Sequence, residues 1–225
     1  MTESIQLTRA EKFVKYALDI GAIEFPSEGR VLHGGRISPY YFNTGKFHEG
    51  DSARTLANAF AATIEGFRPE VVFGWAYKGI PLASTVAMSL GGKVGYAFNR
   101  KEEKDHGEGG DVVGAPLSGK RVLIVDDAMT TGKSSGEAVG FIRAHGGIPI
   151  GCVIAFDRQE RIKEANISAV KDFYLTHQIP VRAIATLADL LSFLRKTTNG
   201  CYEDSFLRGK WIGEIIAYQR LYGAA

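Results

Sequence analysis

Cysteine is nearly absent: the 225 residues hold two, Cys152 and Cys201. Two thiols make no disulfide framework in a chain this long. Cys152 lies in the apolar run Gly151-Cys-Val-Ile-Ala-Phe156 and reads as a small buried filler. No stretch of about 18 apolar residues occurs, so no membrane-spanning helix is expected. The opening MTESIQLTRAEK has no apolar signal core, and without one the sequon Asn166-Ile-Ser168 carries no weight. Neither charge dominates: 27 Lys and Arg face 25 Asp and Glu, a formal net charge of +2. Nucleic-acid binders usually show a larger basic excess or a basic stripe. No nucleic-acid or membrane partner is therefore expected, and a reduced cytoplasmic setting is the default. Internal repeats, low-complexity segments and clear linkers are also missing. What remains is an ordinary globular balance, 45% hydrophobic and 23% charged, sufficient for one sizeable core.

The hydrophobic period changes along the chain. Thr8-Arg-Ala-Glu11 is a capping box, and Ala10, Phe13, Val14, Ala17 and Leu18 continue it as a helical stripe closed by Gly21. A second amphipathic helix starts at Asp51 and ends at Gly66. Short apolar runs then alternate with helical ones. Strands are predicted at Val71–Phe73, Val94–Phe98, Arg121–Val125, Ile148–Phe156 and Val181–Ile184. Helices are predicted to Leu90, over Lys133–His145 and Leu187–Arg195, and at the C-terminus around Trp211, Ile212, Ile215 and Ile216. Continuous apolar strands separated by helices imply a parallel sheet covered on both faces. The exception is Asn99–Gly119, a polar stretch of about twenty residues with five glycines. A loop that long is expected to be functional.

The strongest chemical signal is Val122-Leu-Ile-Val-Asp-Asp-Ala-Met-Thr-Thr-Gly-Lys-Ser134. A buried strand ends in two carboxylates and turns through small and hydroxyl residues into a helix. Ligands of open α/β sheets bind at the carboxyl ends of strands, and a helix N-terminus offers N–H groups to a phosphate. Asp126 and Asp127 can accept hydrogen bonds from a vicinal diol. Gly132-Lys133-Ser134 imitates the end of a triphosphate P-loop, but that motif needs glycine where Asp127 stands. Adjacent carboxylates at a buried strand end are costly without a ligand, which argues against their being mere caps.

This segment resembles the ribosyl-phosphate signature of the type I phosphoribosyltransferases. Three further segments narrow the resemblance to orotate phosphoribosyltransferases: Ser38-Pro-Tyr-Tyr-Phe-Asn-Thr-Gly45, Phe73-Gly-Trp-Ala-Tyr-Lys-Gly-Ile-Pro-Leu82 and Asn99-Arg-Lys-Glu-Glu-Lys-Asp-His-Gly-Glu-Gly-Gly110. Taken alone, the first also reads as an edge strand with a core aromatic, and the last as a solvated charge run. Together the segments span roughly residues 30 to 160.

The resemblance implies an α/β type I phosphoribosyltransferase fold: a central, mainly parallel sheet flanked by helices, with a small N-terminal hood and a long mobile loop. Residues 1–225 would form one domain, with about 1–50 contributing the base-binding hood. The implied reaction moves ribose 5-phosphate from 5-phospho-α-D-ribose 1-diphosphate to orotate, giving orotidine 5′-phosphate in UMP biosynthesis. Asp126 and Asp127 would hold the ribose hydroxyls, while Ala128, Met129, Thr130, Thr131, Gly132, Lys133 and Ser134 cradle the 5′-phosphate. Tyr77 and Lys78 would bind diphosphate through a turn with a cis peptide. Tyr41 and Phe42 would flank orotate, and Arg158 and Thr130 would contact it. Arg100, Lys101, Lys104 and His106 would close over the diphosphate as catalytic cations. In the resemblance, loop residues also cross into the partner's site of a homodimer. Magnesium would arrive on the donor diphosphate rather than in a protein cage.

Three positions depart from the family pattern. His33 stands where a lysine contacting the donor is common, Trp75 where a small residue or proline is usual, and Lys133 where smaller residues are usual. The Lys133 side chain is expected to point away from the phosphate. The competing readings are a purine phosphoribosyltransferase and a non-catalytic regulator on the same fold. The loop RKEEKDHGEGG argues against the first, and the lack of a basic patch or added module argues against the second.

Overall fold

The computed structural model describes residues 6–32, 34–101, 110–162, 166–198 and 205–224. In chain order the elements are α1 (Arg9–Asp19), β1 (Ile23–Glu24), β2 (Arg30–Val31), β3 (Ile37–Ser38), β4 (Tyr41–Phe42), α2 (Gly50–Ile64), β5 (Val71–Gly74), α3 (Gly79–Leu90) and β6 (Gly95–Asn99). There follow β7 (Val112–Gly114), β8 (Arg121–Ala128), α4 (Lys133–Ala144), β9 (Ile148–Asp157), α5 (Ala169–His177), β10 (Val181–Thr186), α6 (Leu187–Thr198) and α7 (Ser205–Tyr222). Residues group into two compact units. One comprises Met1–His48, Arg158–Ser168 and Ala185–Ala225, and the other Glu49–Asp157 and Ala169–Ile184.

The second unit holds most of a six-stranded sheet in the order β10-β9-β8-β5-β6-β7. The pairs β5–β6, β5–β8 and β8–β9 are parallel, while β6–β7 is antiparallel. The expected alternation of strand and helix is therefore present, and its cause is burial. Val122 to Val125 and Cys152 to Phe156 are all 0–1% exposed, so these strands carry apolar side chains on both faces. Burial also pushes the Cys152 thiol well above its ordinary range, as an inert filler requires.

Topology locates the functional edge. From β5 the chain winds through α3 to β6 on one side. It then crosses to β8 and winds through α4 to β9 on the other. The winding reverses between neighbours β5 and β8, and the crevice beyond their carboxyl ends is where open α/β sheets take ligands. Gly74 pairs with Val125 in register, so the turn after β5 and the Asp126–Asp127 pair leave the sheet side by side.

The first unit contains the predicted capping box. The Thr8 hydroxyl accepts from Glu11 N (3.1 Å) and Thr8 N donates to the Glu11 carboxylate (2.8 Å). That carboxylate is 2% exposed and also receives Ser192 Oγ (2.7 Å) and Lys196 Nζ (2.8 Å) from α6. Burial opposes its ionisation, but the bonds from Lys196, Thr8 and Ser192 outweigh that and hold its pKa at about 2. Because the folded-state value lies below the unfolded one, the stabilisation is present above pH 4.5 and lost as pH falls toward 2. At neutral pH it amounts to on the order of 2 kcal/mol, after discounting for the part-exposed lysine. Glu11→Gln should therefore unfold at lower urea at pH 7, and the gap to the parent should narrow by pH 3. Parallel urea curves at both pH values would contradict this.

The stretch Asn99–Gly119 is not wholly irregular. Val112–Gly114 forms β7, pairing Asn99 with Val112 and Ala97 with Gly114. Three residues are too few to register as a periodic run.

Candidate active site

Two turns meet above the β5–β8 crevice. The first, Trp75–Lys78, folds back tightly enough that Gly79 N donates to Trp75 O (3.0 Å). A Cβ on Gly74 would lie 1.8 Å from Gly79 O, and one on Gly79 would lie 2.6 Å from Gly74 C, so both positions require glycine. The Ala76–Tyr77 peptide is cis. The second turn follows Ala128. The strand runs through both acids to Ala128, further than the apolar run predicts, because Asp126 and Ala128 stay in ladder register with Ile154 and Phe156. Gly132 then takes φ 74° as the N-cap of α4, a left-handed conformation suited to glycine.

An ion pair joins the two turns: Lys78 Nζ lies 2.6 Å from Asp127 Oδ2. The lysine is 68% exposed and the aspartate 18%, so the ammonium stands at the open side of the crevice. Asp127 N donates to Asp126 Oδ1 (2.8 Å), and Ala128 N to Asp127 Oδ1 (3.0 Å). Burial, then the neighbouring Asp127 charge, raises the Asp126 pKa well above the ordinary carboxylate range. A strand end holding two carboxylates at such cost fits a site kept for a polar ligand.

The phosphate-turn residues are mostly open. Thr130, Thr131, Lys133 and Ser134 are exposed, Ala128 is half-buried, and Met129 is buried beneath. Thr131 Oγ1 accepts from Lys133 N (3.4 Å). The Lys133 ammonium is 4.0 Å from Glu137, one turn along the helix, and its side chain is 82% exposed. Arg100 and Lys101 line a cavity of about 550 Å³ with Trp75, Ala76, Lys133 and Ser134. The Lys101 ammonium sits 4.4 Å from the centroid of the Tyr77 ring. Trp75 packs edge-on against Phe141 of α4 (5.6 Å), and both rings line the same cavity. Lys104, His106 and His33 lie outside the described residues.

In the other unit, Tyr41 and Phe42 point to opposite faces of β4, as strand alternation requires. Phe42 is 9% exposed and joins Phe13 and Phe47 in an aromatic cluster, whereas Tyr41 is half-buried under Arg30. Arg158 is 6% exposed. Its Nε donates to Glu160 Oε1 (2.7 Å), its Nη2 donates to Ser38 Oγ (2.8 Å), and its guanidinium lies over Tyr40. Glu160 also accepts from Arg36 (3.1 Å). Burial works against the Arg158 charge, but Tyr40 and Glu160 hold it. Two arginines share the Glu160 carboxylate here, the buried Arg158 and the part-buried Arg36. Ser38, Arg36 and Glu160 are parts of this cluster that the sequence alone does not single out. Only the placement of Glu160 two residues after Arg158 hints at it.

Residues 48–185 match the model of the phosphoribosyl transferase domain, which defines the class. The orotate phosphoribosyltransferase of Xanthomonas campestris pv. campestris strain B100 is 48% identical over 188 residues, covering 81% of this chain and 85% of that protein. That of Bordetella avium is 43% identical over 227 residues, covering 95% and 98%. Among solved structures, the orotate phosphoribosyltransferase of Francisella tularensis superposes with a TM-score of 0.79 at 32% identity, covering 95% of this chain and all of that one. The Mycobacterium tuberculosis enzyme in complex with 5-phospho-α-D-ribosyl 1-diphosphate shares the fold, with a TM-score of 0.62 at 21% identity, covering 81% of this chain and 99% of that one. The chain belongs to the orotate phosphoribosyltransferase family.

Proposed function

We propose that this pentosyltransferase moves ribose 5-phosphate from 5-phospho-α-D-ribose 1-diphosphate to N1 of orotate, yielding orotidine 5′-phosphate and diphosphate in UMP synthesis. The observation that carries the reading is the pairing of the Trp75–Lys78 turn with the Asp126–Ser134 turn at the sheet's switch point, bound together through Lys78 and Asp127.

In this reading the ribose hydroxyls hydrogen-bond to Asp126 and Asp127, displacing the Lys78 ammonium toward the departing diphosphate. The 5′-phosphate takes the N–H groups and hydroxyls from Thr130 to Ser134 at the start of α4. Tyr77, Lys78, Arg100 and Lys101, joined by Lys104 and His106, stabilise charge as diphosphate leaves. No nucleophilic side chain is required, since the work is electrostatic and water must be kept out. Orotate is planar and anionic. It would lie against Tyr41 in the N-terminal hood, with Phe42 supporting that strand from its buried face. Its charge would meet the Arg158 guanidinium, with Thr130 contributing. His33 would sit near the donor as a weaker cation than lysine.

Magnesium fits this donor set only in part. Asp126 and Asp127 offer the hard oxygens it prefers, but no group of three or more acidic, His or Cys side chains that could hold a metal occurs among the described residues. Most ligands would come from the donor, and the bound ion would neutralise diphosphate charge. A homodimer in which loop residues complete the partner's site, and a cytoplasmic setting, go with the family resemblance. Among the described residues no helix is long and apolar enough to cross a membrane.

The test is orotate absorbance with purified protein, donor and magnesium. Absorbance should fall only when all components are present. Unchanged orotate alongside consumption of a purine base would replace this reading with the purine one.

A further inference from the structure

The Arg100 main chain is held at both ends. Its N–H donates to Asp111 O (2.7 Å), and its carbonyl accepts from Asn99 Nδ2 (3.3 Å). Each holder is itself tied to an element of the donor site. Asn99 Oδ1 accepts from Ala76 N (2.8 Å), inside the turn that carries Tyr77 and Lys78. Asp111 Oδ1 lies 2.7 Å from His145 Nε2, and His145 Nδ1 lies 2.8 Å from Phe141 O. His145 closes α4, the helix whose first turn carries the phosphate residues Lys133 and Ser134, and its ring packs 4.3 Å from Phe141, the partner of Trp75.

The sheet alone would not fix this segment. The β6–β7 pairing spans three residue pairs at the sheet edge and ends at Asn99–Val112. Such a short edge strand frays readily. Asn99, by contrast, is 4% exposed at the end of a strand, where an asparagine survives burial only if its amide is used on both sides. Its two ends are used on two different pieces of the site.

We infer that Asn99 and Asp111 are positioning residues for Arg100, locking its backbone to the donor turn through Ala76 and to the phosphate helix through His145. This rests on the functional reading above, in which Arg100 serves the departing diphosphate. Arg100 would then enter the site with its backbone already fixed, rather than being ordered by the ligand. A displacement of about 1 Å of such a group can cost ~10² in rate.

A double-mutant cycle tests this. Asn99→Asp keeps the acceptor for Ala76 N and loses the donor to the Arg100 carbonyl. Asp111→Ala keeps the backbone carbonyl and loses the His145 contact. Each should lower kcat by about 10-fold with little change in orotate KM. In an Arg100→Ala background, where kcat is already down by ~10²-fold, neither should lower it further. Independent, multiplicative losses would overturn the inference, as would Asn99→Asp turning over at the parental rate. Should Asn99→Asp not fold, the Asp111→Ala cycle decides alone, because that side chain is part-exposed. If the parent ribosylates a different base, the cycle is read with that base, so the two readings fail separately.

Discussion

Gly74→Ala is expected to lower the melting temperature by roughly 10 °C or more, corresponding to about 3 kcal/mol or above in a chain of this size. The reason is the 1.8 Å that would separate the new Cβ from Gly79 O. No side chain can rotate out of the way, because the obstacle is main chain. Gly74 also ends β5, which is paired on both sides, so relief by shifting the strand would break ladders to β6 and β8. Gly140→Ala is the control. Gly140 lies in α4, where an added methyl would meet nothing within 4 Å, and alanine there should be neutral or stabilise by about 0.5–1 kcal/mol. Thermal melts of both variants decide the matter, and equal midpoints would refute the argument. Any folded Gly74→Ala protein should also bind the donor poorly, because the Trp75–Lys78 turn is built on that contact.

Asp126→Asn with Asp127→Asn should weaken donor binding by roughly 10²-fold or more, since each lost charge-assisted hydrogen bond is worth about 1.5–3 kcal/mol. Orotate binding should hold within about twofold. Calorimetry with each ligand separately reads both, and equal losses would count against the assignment of the diol. The single variant Asp126→Asn makes a second, opposite expectation. Burial and Asp127 raise the folded-state pKa of this acid. A group so shifted contributes fully below its unfolded value, 3.8, and its contribution is lost as pH rises through the folded value. At pH 8 its charge therefore burdens the unliganded fold, and asparagine should raise the melting temperature by a few degrees, about 1 kcal/mol. Lost binding together with gained stability is the mark of residues kept for a ligand rather than for folding. A lower melting temperature would mean that the carboxylate is structural.

The sheet was readable because its central strands, β5, β8 and β9, are buried on both faces. Val122–Val125 and Ile148–Phe156 are apolar runs, and the structure extends the first through Asp126, Asp127 and Ala128 and the second by Asp157. The helix at Thr8 was readable because a capping box is local chemistry. What escaped was whatever depends on distant partners. The pairs β1–β4 and β2–β3 are two residues long and exist through contacts between segments, not through any pattern of their own. Helix α5 shows little amphipathic contrast, with only Ala169 and Phe173 buried. At the site, Asp126, Asp127 and Lys78 carried a signal in their own neighbourhood. Asn99, Asp111 and His145 did not, because an amide or an imidazole acquires its meaning only from the groups that the fold places opposite it.

The antiparallel return of β7 has a consequence for how this protein can change over time. Asn99 and Val112 face each other across the ladder, so the chain between them leaves and re-enters the sheet at one point. Lengthening a chain excursion closed at one point is cheap: each doubling adds only about 0.6 kcal/mol of closure entropy. The fold thus sets little constraint on the length of chain between the two anchors, while the proposed chemistry constrains its charge through Arg100, Lys101, Lys104 and His106.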